Sequence, residues 1–232
     1  MKKILLSWFV VAMLCASVQA DNYSDAQDDI FDTGFPHLDI LNVEVTNDQS
    51  NIIFNVTMLG DLDVTTWGKY CVGIDTGNFA GVNSNGWGRN VNWDRNITHY
   101  IGSWADDGGS GAGGEIWEWD GSAWVVIDAT YLAGTDFSAS DAGHSAGVQS
   151  FSVSMAALGI GFGDTFEFDV FSTGGTGNDP GVDHLSRNDP ATPGWSDPSV
   201  AGTFLTFTPI PEPGSLGFLA LVGGAMLLRR KR

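Results

Sequence analysis

The chain has 232 residues, with 28 acidic and 10 basic side chains and a formal charge of −18 at pH 7. Away from the ends the imbalance is steeper: residues 21–208 hold 27 acids against Lys69, Arg89, Arg95 and Arg187, a formal charge of −23. Duplex nucleic acid and anionic membranes are poor partners for such a body, which leaves divalent cations and neutral ligands such as glycans. Its length fits one domain large enough for a real core.

At the N-terminus, Lys2 and Lys3 precede an apolar run over residues 4–16, and Val18-Gln19-Ala20 fits a small-residue cleavage site. Residues 1–20 therefore read as a signal peptide cut after Ala20, with the mature chain beginning at Asp21 outside the cytoplasm. Cys15 leaves with that segment, and Leu14 before it is too large for a lipobox. Cys71 then stands alone, without an intramolecular disulfide, and reads as a small buried residue on a strand.

Period-two alternation recurs along the body. Val43 and Val45 begin it, with a turn at Asn47-Asp48. Ile52, Phe54, Val56 and Met58 share one strand face, as do Tyr70, Val72 and Ile74. Ile116 to Ile127 is the clearest hairpin, because Asp120-Gly121 supplies positive-φ turn chemistry between Trp-rich and β-branched flanks. Phe151, Val153 and Met155 form another face, with one helical turn over residues 155–158. Phe166, Phe168 and Val170 follow, and residues 204–207 close the series. The glycines of residues 108–114 and 174–177 read as surface loops, and residues 208–213 as an extended linker. Many short strands and no convincing helical period predict an all-β fold, a single jelly-roll-type β-sandwich over residues 21–208.

Eight tryptophans lie in this body. Indole faces suit the C–H face of a sugar ring, although hairpin and core packing compete for each of them. Trp87, in a polar Asn/Gly/Ser segment, is expected to be the most exposed and to matter little for stability; Trp104 and Trp195 also adjoin loops, and these three are the glycan-binding candidates. Asp106-Asp107, in a Gly-rich loop, and Asp179 and Asp183, four residues apart, are the metal candidates. Ca²⁺ is the cation they suit, although neither spacing matches a known calcium loop and solvated acids are the alternative. No Gly-x-Ser-x-Gly, His-Glu-x-x-His or P-loop is present, so no catalytic residue is assigned. His37, His99, His144 and His184 are scattered, and neither haem nor a nucleotide is expected.

The C-terminus carries an address. Pro211-Glu212-Pro213 is followed by fifteen uncharged residues, among them Leu216, Leu219, Leu221 and Leu227, and then by Arg229, Arg230, Lys231 and Arg232. As a helix that stretch spans roughly 22 Å, short of the ~30 Å hydrocarbon core, and the terminal cations would stay cytoplasmic. The arrangement resembles the PEP-CTERM sorting signal of Gram-negative bacteria over residues 209–232. That resemblance implies an exosortase-type enzyme processing near Pro211-Glu212-Pro213, a transient hold on the inner membrane, and delivery to the envelope or extracellular matrix. A permanent C-terminal anchor is the alternative.

A second, patterned resemblance covers most of residues 25–208. Leu38-Asp39-Ile40, residues 51–59, Trp67-Gly68-Lys69-Tyr70 with Ile74-Asp75-Thr76, Trp104 with Asp106-Asp107, the Trp-rich hairpin, and Phe168-Asp169 leading to Ser172-Thr173-Gly174-Gly175 are similar to the DOMON and family 9 carbohydrate-binding-module superfamily. That resemblance implies a β-sandwich and, depending on the member, a sugar, haem or calcium ligand. The expected function is a secreted, non-enzymatic surface protein that binds exopolysaccharide or surface glycans. A structural or adhesive matrix component without a ligand pocket is the alternative, ahead of a polysaccharide-active enzyme.

Overall fold

A computed structural model describes residues 20–105 and 112–211. The metal candidates Asp106 and Asp107, the processing residues Glu212 and Pro213, and the apolar and basic tail lie outside the described residues. So does all of the expected leader except Ala20, which opens the first strand. Among the described residues no helix is long and apolar enough to cross a membrane.

The protein is nearly all β, built on two antiparallel sheets. In the first sheet β1 (Ala20–Ser24), β2 (Ile40–Asn47), β3 (Asn51–Met58), β10 (Val148–Ser154) and β9 (Phe137–Gly143) lie in the order β1-β2-β3-β10-β9. The second sheet has the order β12-β11-β4-β6-β7-β8. It uses β4 (Lys69–Asp75), β6 (His99–Trp104), β7 (Gly113–Trp119), β8 (Trp124–Ala129), β11 (Phe166–Thr173) and β12 (Gly181–His184), with β14 (Leu205–Phe207) also pairing β11. β5 (Val91–Asn92) and β13 (Ser199–Val200) make a small parallel pair.

The alternation in the sequence becomes the core. Ile52, Phe54, Val56 and Met58 point inward from β3, and Tyr70, Val72 and Ile74 from β4. Phe54 lies opposite Phe151 of β10, with ring centroids 5.5 Å apart, and meets Phe168 of the other sheet at 5.6 Å. Asp48 closes the β2–β3 hairpin by accepting the Ser50 and Asn51 amides, both at 2.7 Å. Asp120 does the same for β7–β8: its carboxylate takes the Ser122 and Ala123 amides, and Gly121 adopts φ +97°. Residues 155–158 form a hydrogen-bonded turn rather than a helix.

Two expectations are corrected. Gly113 and Gly114 are not loop residues; they sit inside β7, where a Cβ on Gly114 would come within 2.9 Å of the Phe137 ring. The linker is also shorter than read, because Asn47 brackets Ile210 by donating to its carbonyl at 2.9 Å and accepting its amide at 3.2 Å.

The second sheet is buried on its outer face as well. Cys71 and Tyr100 point there, covered by Trp93, Ile97, Phe171 and Phe204 from loops and neighbouring strands. Burial pushes the Cys71 thiol up to about 11, and the Tyr100 hydroxyl donates to its sulfur at 3.1 Å, so this cysteine, the one among the described residues, packs as an unreactive side chain.

Candidate functional site

At the β11–β12 end of the larger sheet, three rings from distant parts of the chain converge. Trp67 lies two residues before the start of β4, Trp195 lies between β12 and β13, and Phe35 belongs to the segment between β1 and β2. Trp67 and Trp195 stand edge-to-face with centroids 6.0 Å apart, and Phe35 meets them at 5.5 and 5.7 Å. All three are half-buried, and with Gly174, Gly175, Thr176 and Asp179 they line a cleft of about 540 Å³. Glycine keeps its floor low: a Cβ on Gly174 would lie 3.0 Å from the Trp195 ring. Asp179 shapes the rim by accepting the Thr176 amide at 2.7 Å.

An adjoining polar cleft of about 570 Å³ shares Asp179 and Trp195 and adds Arg89, Asn90 and Asn178. Arg89 donates to the Thr176 carbonyl, and its guanidinium lies 5.3 Å from the Trp87 ring, so it links this cleft to a second aromatic group. There Trp87 and Trp104 stack at 6.2 Å and 24°. The Trp87 and Trp117 indole N–H groups both donate to one Glu115 oxygen, at 2.7 and 2.9 Å, and Tyr131 donates to the other. Trp87 is not the loosely held loop residue the sequence suggested. It lies flat on β6, where a Cβ on Gly102 would come within 2.5 Å of its ring. Trp87 and Trp104 therefore come together, while Trp195 belongs to the cleft with Trp67.

The acidic candidates also separate. Asp179 stays in its loop, whereas Asp183 is buried beneath the segment between β1 and β2, where its oxygens accept the Ile40 and His184 amides at 2.6 and 2.8 Å. One ligand atom each from Asp183, Asp25 and Asp29 lies within 4.8 Å of the others. A second such group, Asp61, Asp63 and His144, is more open, and its imidazole faces both carboxylates at 3.3 and 2.9 Å. The Asp61 hydrogen bond, with both aspartate charges, raises the His144 pKa, which favours an imidazolium beside these carboxylates.

One polar row has the composition of a hydrolase triad. Asp169 Oδ2 lies 2.6 Å from His184 Nδ1, and His184 Nε2 lies 3.1 Å from Ser199 Oγ. All three residues are 0% exposed, and Ser199 Oγ accepts the Gly181 amide at 2.9 Å. The row ties β11, β12 and β13 together and offers no surface to a substrate.

No protein-family model, curated protein or solved structure matches the chain.

Sequence reasoning had one wall of the cleft, Trp195, and missed Phe35 and the pairing with Trp67, which only the meeting of three loops creates. It also missed Asp25 and Asp29. The run of acids at 25, 28, 29 and 32, threaded with Phe31 and Phe35, was the available signal.

Proposed function

We propose that this chain is an exported, non-enzymatic surface protein whose β-sandwich binds neutral glycans in the Trp67–Trp195 cleft. The carrying observation is the cleft itself: two indoles and a phenyl ring line it, with Asp179 at the rim and Arg89, Asn90 and Asn178 in the polar extension. Half-buried rings offer flat apolar faces for sugar C–H groups, while amide, guanidinium and carboxylate groups suit ring hydroxyls. The volume falls in the range of small-molecule clefts, roughly 300–1,000 Å³. The strong acidity of the body disfavours polyanions and nucleic acid.

Several observations support the rest of the reading. Adjacency of β3 with β10 and of β4 with β11, where β3 leads to β4 and β10 to β11, is the pairing of a rolled hairpin and favours the jelly-roll type of sandwich. The resemblance to DOMON and family 9 carbohydrate-binding modules implies the same architecture and includes sugar among the ligands it allows, beside haem and calcium. Sealing of the Asp169–His184–Ser199 row argues against using it for hydrolysis. The leader ending at Ala20 and the PEP-CTERM-like tail support export, exosortase-type processing and residence in the envelope or exopolysaccharide matrix.

The test is affinity electrophoresis of the full-length chain through gels containing neutral polysaccharides, with Trp fluorescence in parallel. A binding glycan should retard the protein and shift its emission, and Trp195→Ala should weaken retention at least tenfold with the fold intact by circular dichroism. Retention unchanged by Trp195→Ala would remove the cleft from the reading. Co-purification with exopolysaccharide but no retention by any soluble glycan would favour the matrix component.

A further inference from the structure

The segment between β1 and β2 carries three buried or half-buried carboxylates with too few partners for them, and a fourth faces them from β12. Asp29 is 7% exposed, and neither of its oxygens has a hydrogen-bond partner. Asp39 is 0% exposed; Oδ2 accepts the Asp28 amide at 2.8 Å, but Oδ1 is unpartnered. Asp25 Oδ1 accepts the Ala26 amide, while Oδ2 is buried and unpartnered. Asp183 faces this group from β12. An unpaired buried carboxylate costs several kcal/mol, and clustered ones repel in addition.

Among the described residues the cation whose charge registers on Asp29 is Arg187, and Asp189 already holds its guanidinium at 2.7 Å. Burial, with the charges of Asp29, Asp169 and Asp39, pushes Asp25 up to about 8. Burial and Asp39 bring Asp29 to about 6. Burial, followed by Asp25, Asp29 and Asp39, holds Asp183 well above the usual carboxylate range. In the Asp61–Asp63–His144 group, by contrast, an imidazole lies 3.3 and 2.9 Å from the two carboxylates.

We propose that Asp25, Asp29 and Asp183, with Asp39 beside them, form a Ca²⁺ site that fastens the segment between β1 and β2 to β12. Ca²⁺ takes six to eight oxygens at about 2.3–2.6 Å, so any two of its ligand oxygens lie no more than roughly 5 Å apart, and one oxygen from each of these three carboxylates lies within that span of the other two. The donor set is oxygen only, and water fills the remaining positions. Mg²⁺ fits less well, because it demands a tighter octahedron and sheds water reluctantly.

The same segment carries Phe31 and Phe35, which pack edge-to-face on Trp195 at 5.2 and 5.7 Å. A bound ion therefore also holds one wall of the aromatic cleft. This consequence rests on the glycan-binding reading of the cleft; the site itself does not.

The test is calorimetric titration of CaCl₂ into the full-length chain stripped with EGTA, with thermal melts in calcium and in chelator. The expected result is about one site per chain and a Tm that climbs with calcium concentration. Asp29→Asn should weaken binding at least tenfold. It should also raise the Tm in chelator, because it deletes a repelling charge, a sign that loss of an ordinary structural contact would not give. Asp63→Asn should leave calcium binding unchanged. No heat of binding together with superimposable melts in calcium and EGTA overturns the site, whatever the variants do. Calcium binding with glycan retention indifferent to EGTA upholds the site and overturns its link to the cleft.

Discussion

Across its inner face the larger sheet presents Val72, Ile74, Ile101, Phe166, Phe168 and Val170 to the opposite sheet, aliphatic and phenyl groups with nothing to hydrogen-bond. Its outer face is built from indoles laid on glycines. Trp93 covers Gly73 and Trp87 covers Gly102, and a Cβ on either glycine would come within 2.7 Å of the ring above it. Several of those indoles have a polar end that must be placed: Trp87 and Trp117 share Glu115, and Trp124 donates to Ser84 at 3.0 Å. The inner face is thus held mainly by exclusion of water, with a few buried polar contacts such as Gln149 Nε2 to Ser103 Oγ at 2.9 Å and the Tyr70 hydroxyl to the His37 carbonyl at 3.0 Å, while the outer face ties its indoles to partners on both strands and loops. On this outer face Trp87, Trp117 and Trp124 stay half-buried at the edges of the packing.

The sharpest way to break this comparison is to empty the inner face. Phe168 is fully buried between Phe54, Phe166 and Tyr23. Phe168→Ala should cost about 3–5 kcal/mol, from lost transfer energy and the cavity left behind. Urea unfolding measures this, and a cost near 1 kcal/mol would mean the inner face is not the sealed layer described.

A titratable group on the same face sharpens it. His99 shares its strand face with Ile101 and is 0% exposed, and burial lowers its pKa from 6.5 to about 4. Between those values the unfolded chain takes up a proton that the folded chain refuses. The contribution of neutral His99 is therefore intact above pH 6.5 and is lost as pH falls towards 4, by up to about 3 kcal/mol at 1.36 kcal/mol per unit. The difference between wild type and His99→Gln isolates it, since the carboxylates titrate alike in both. A difference in stability that is flat across this window would contradict the burial.

What was legible in the sequence follows from the same contrast. Strands β3, β4, β10 and β11 could be read because alternate large apolar residues enter the core, and the β7–β8 hairpin because Asp120-Gly121 dictates its turn. β9 could not, since it pairs along residues 137–143 with only Phe137 and Ala139 as apolar inward residues between serines, Asp141 and glycine. Nor could β12, whose four residues are all buried although two are Asp183 and His184: a buried acid looks like a solvated one until its partners are known. The candidate cleft was legible only in part, because Trp67 and Trp195 meet through topology and no local spacing encodes that meeting. The polar segment around Trp87 reads as an exposed platform, but a sequence cannot reveal that Gly102 lies beneath its ring.

The smallest expected effect concerns the polar ends of the outer-face indoles, and it separates packing from hydrogen bonding. Trp87→Phe keeps most of the ring over Gly102 but deletes a donor to a carboxylate that also serves Trp117 and Tyr131, so about 1–3 kcal/mol should be lost, as for hydrogen bonds to charged groups. Trp124→Phe deletes a donor to the exposed Ser84 hydroxyl, where water replaces the lost partner on both sides, and should cost about 1 kcal/mol or less. Both variants keep an aromatic ring, so area burial changes little between them, and their difference reads the environment of the accepting oxygen. Equal losses in urea unfolding would mean that Glu115 is no more than another solvated acid, and that ring burial rather than hydrogen bonding holds the outer face.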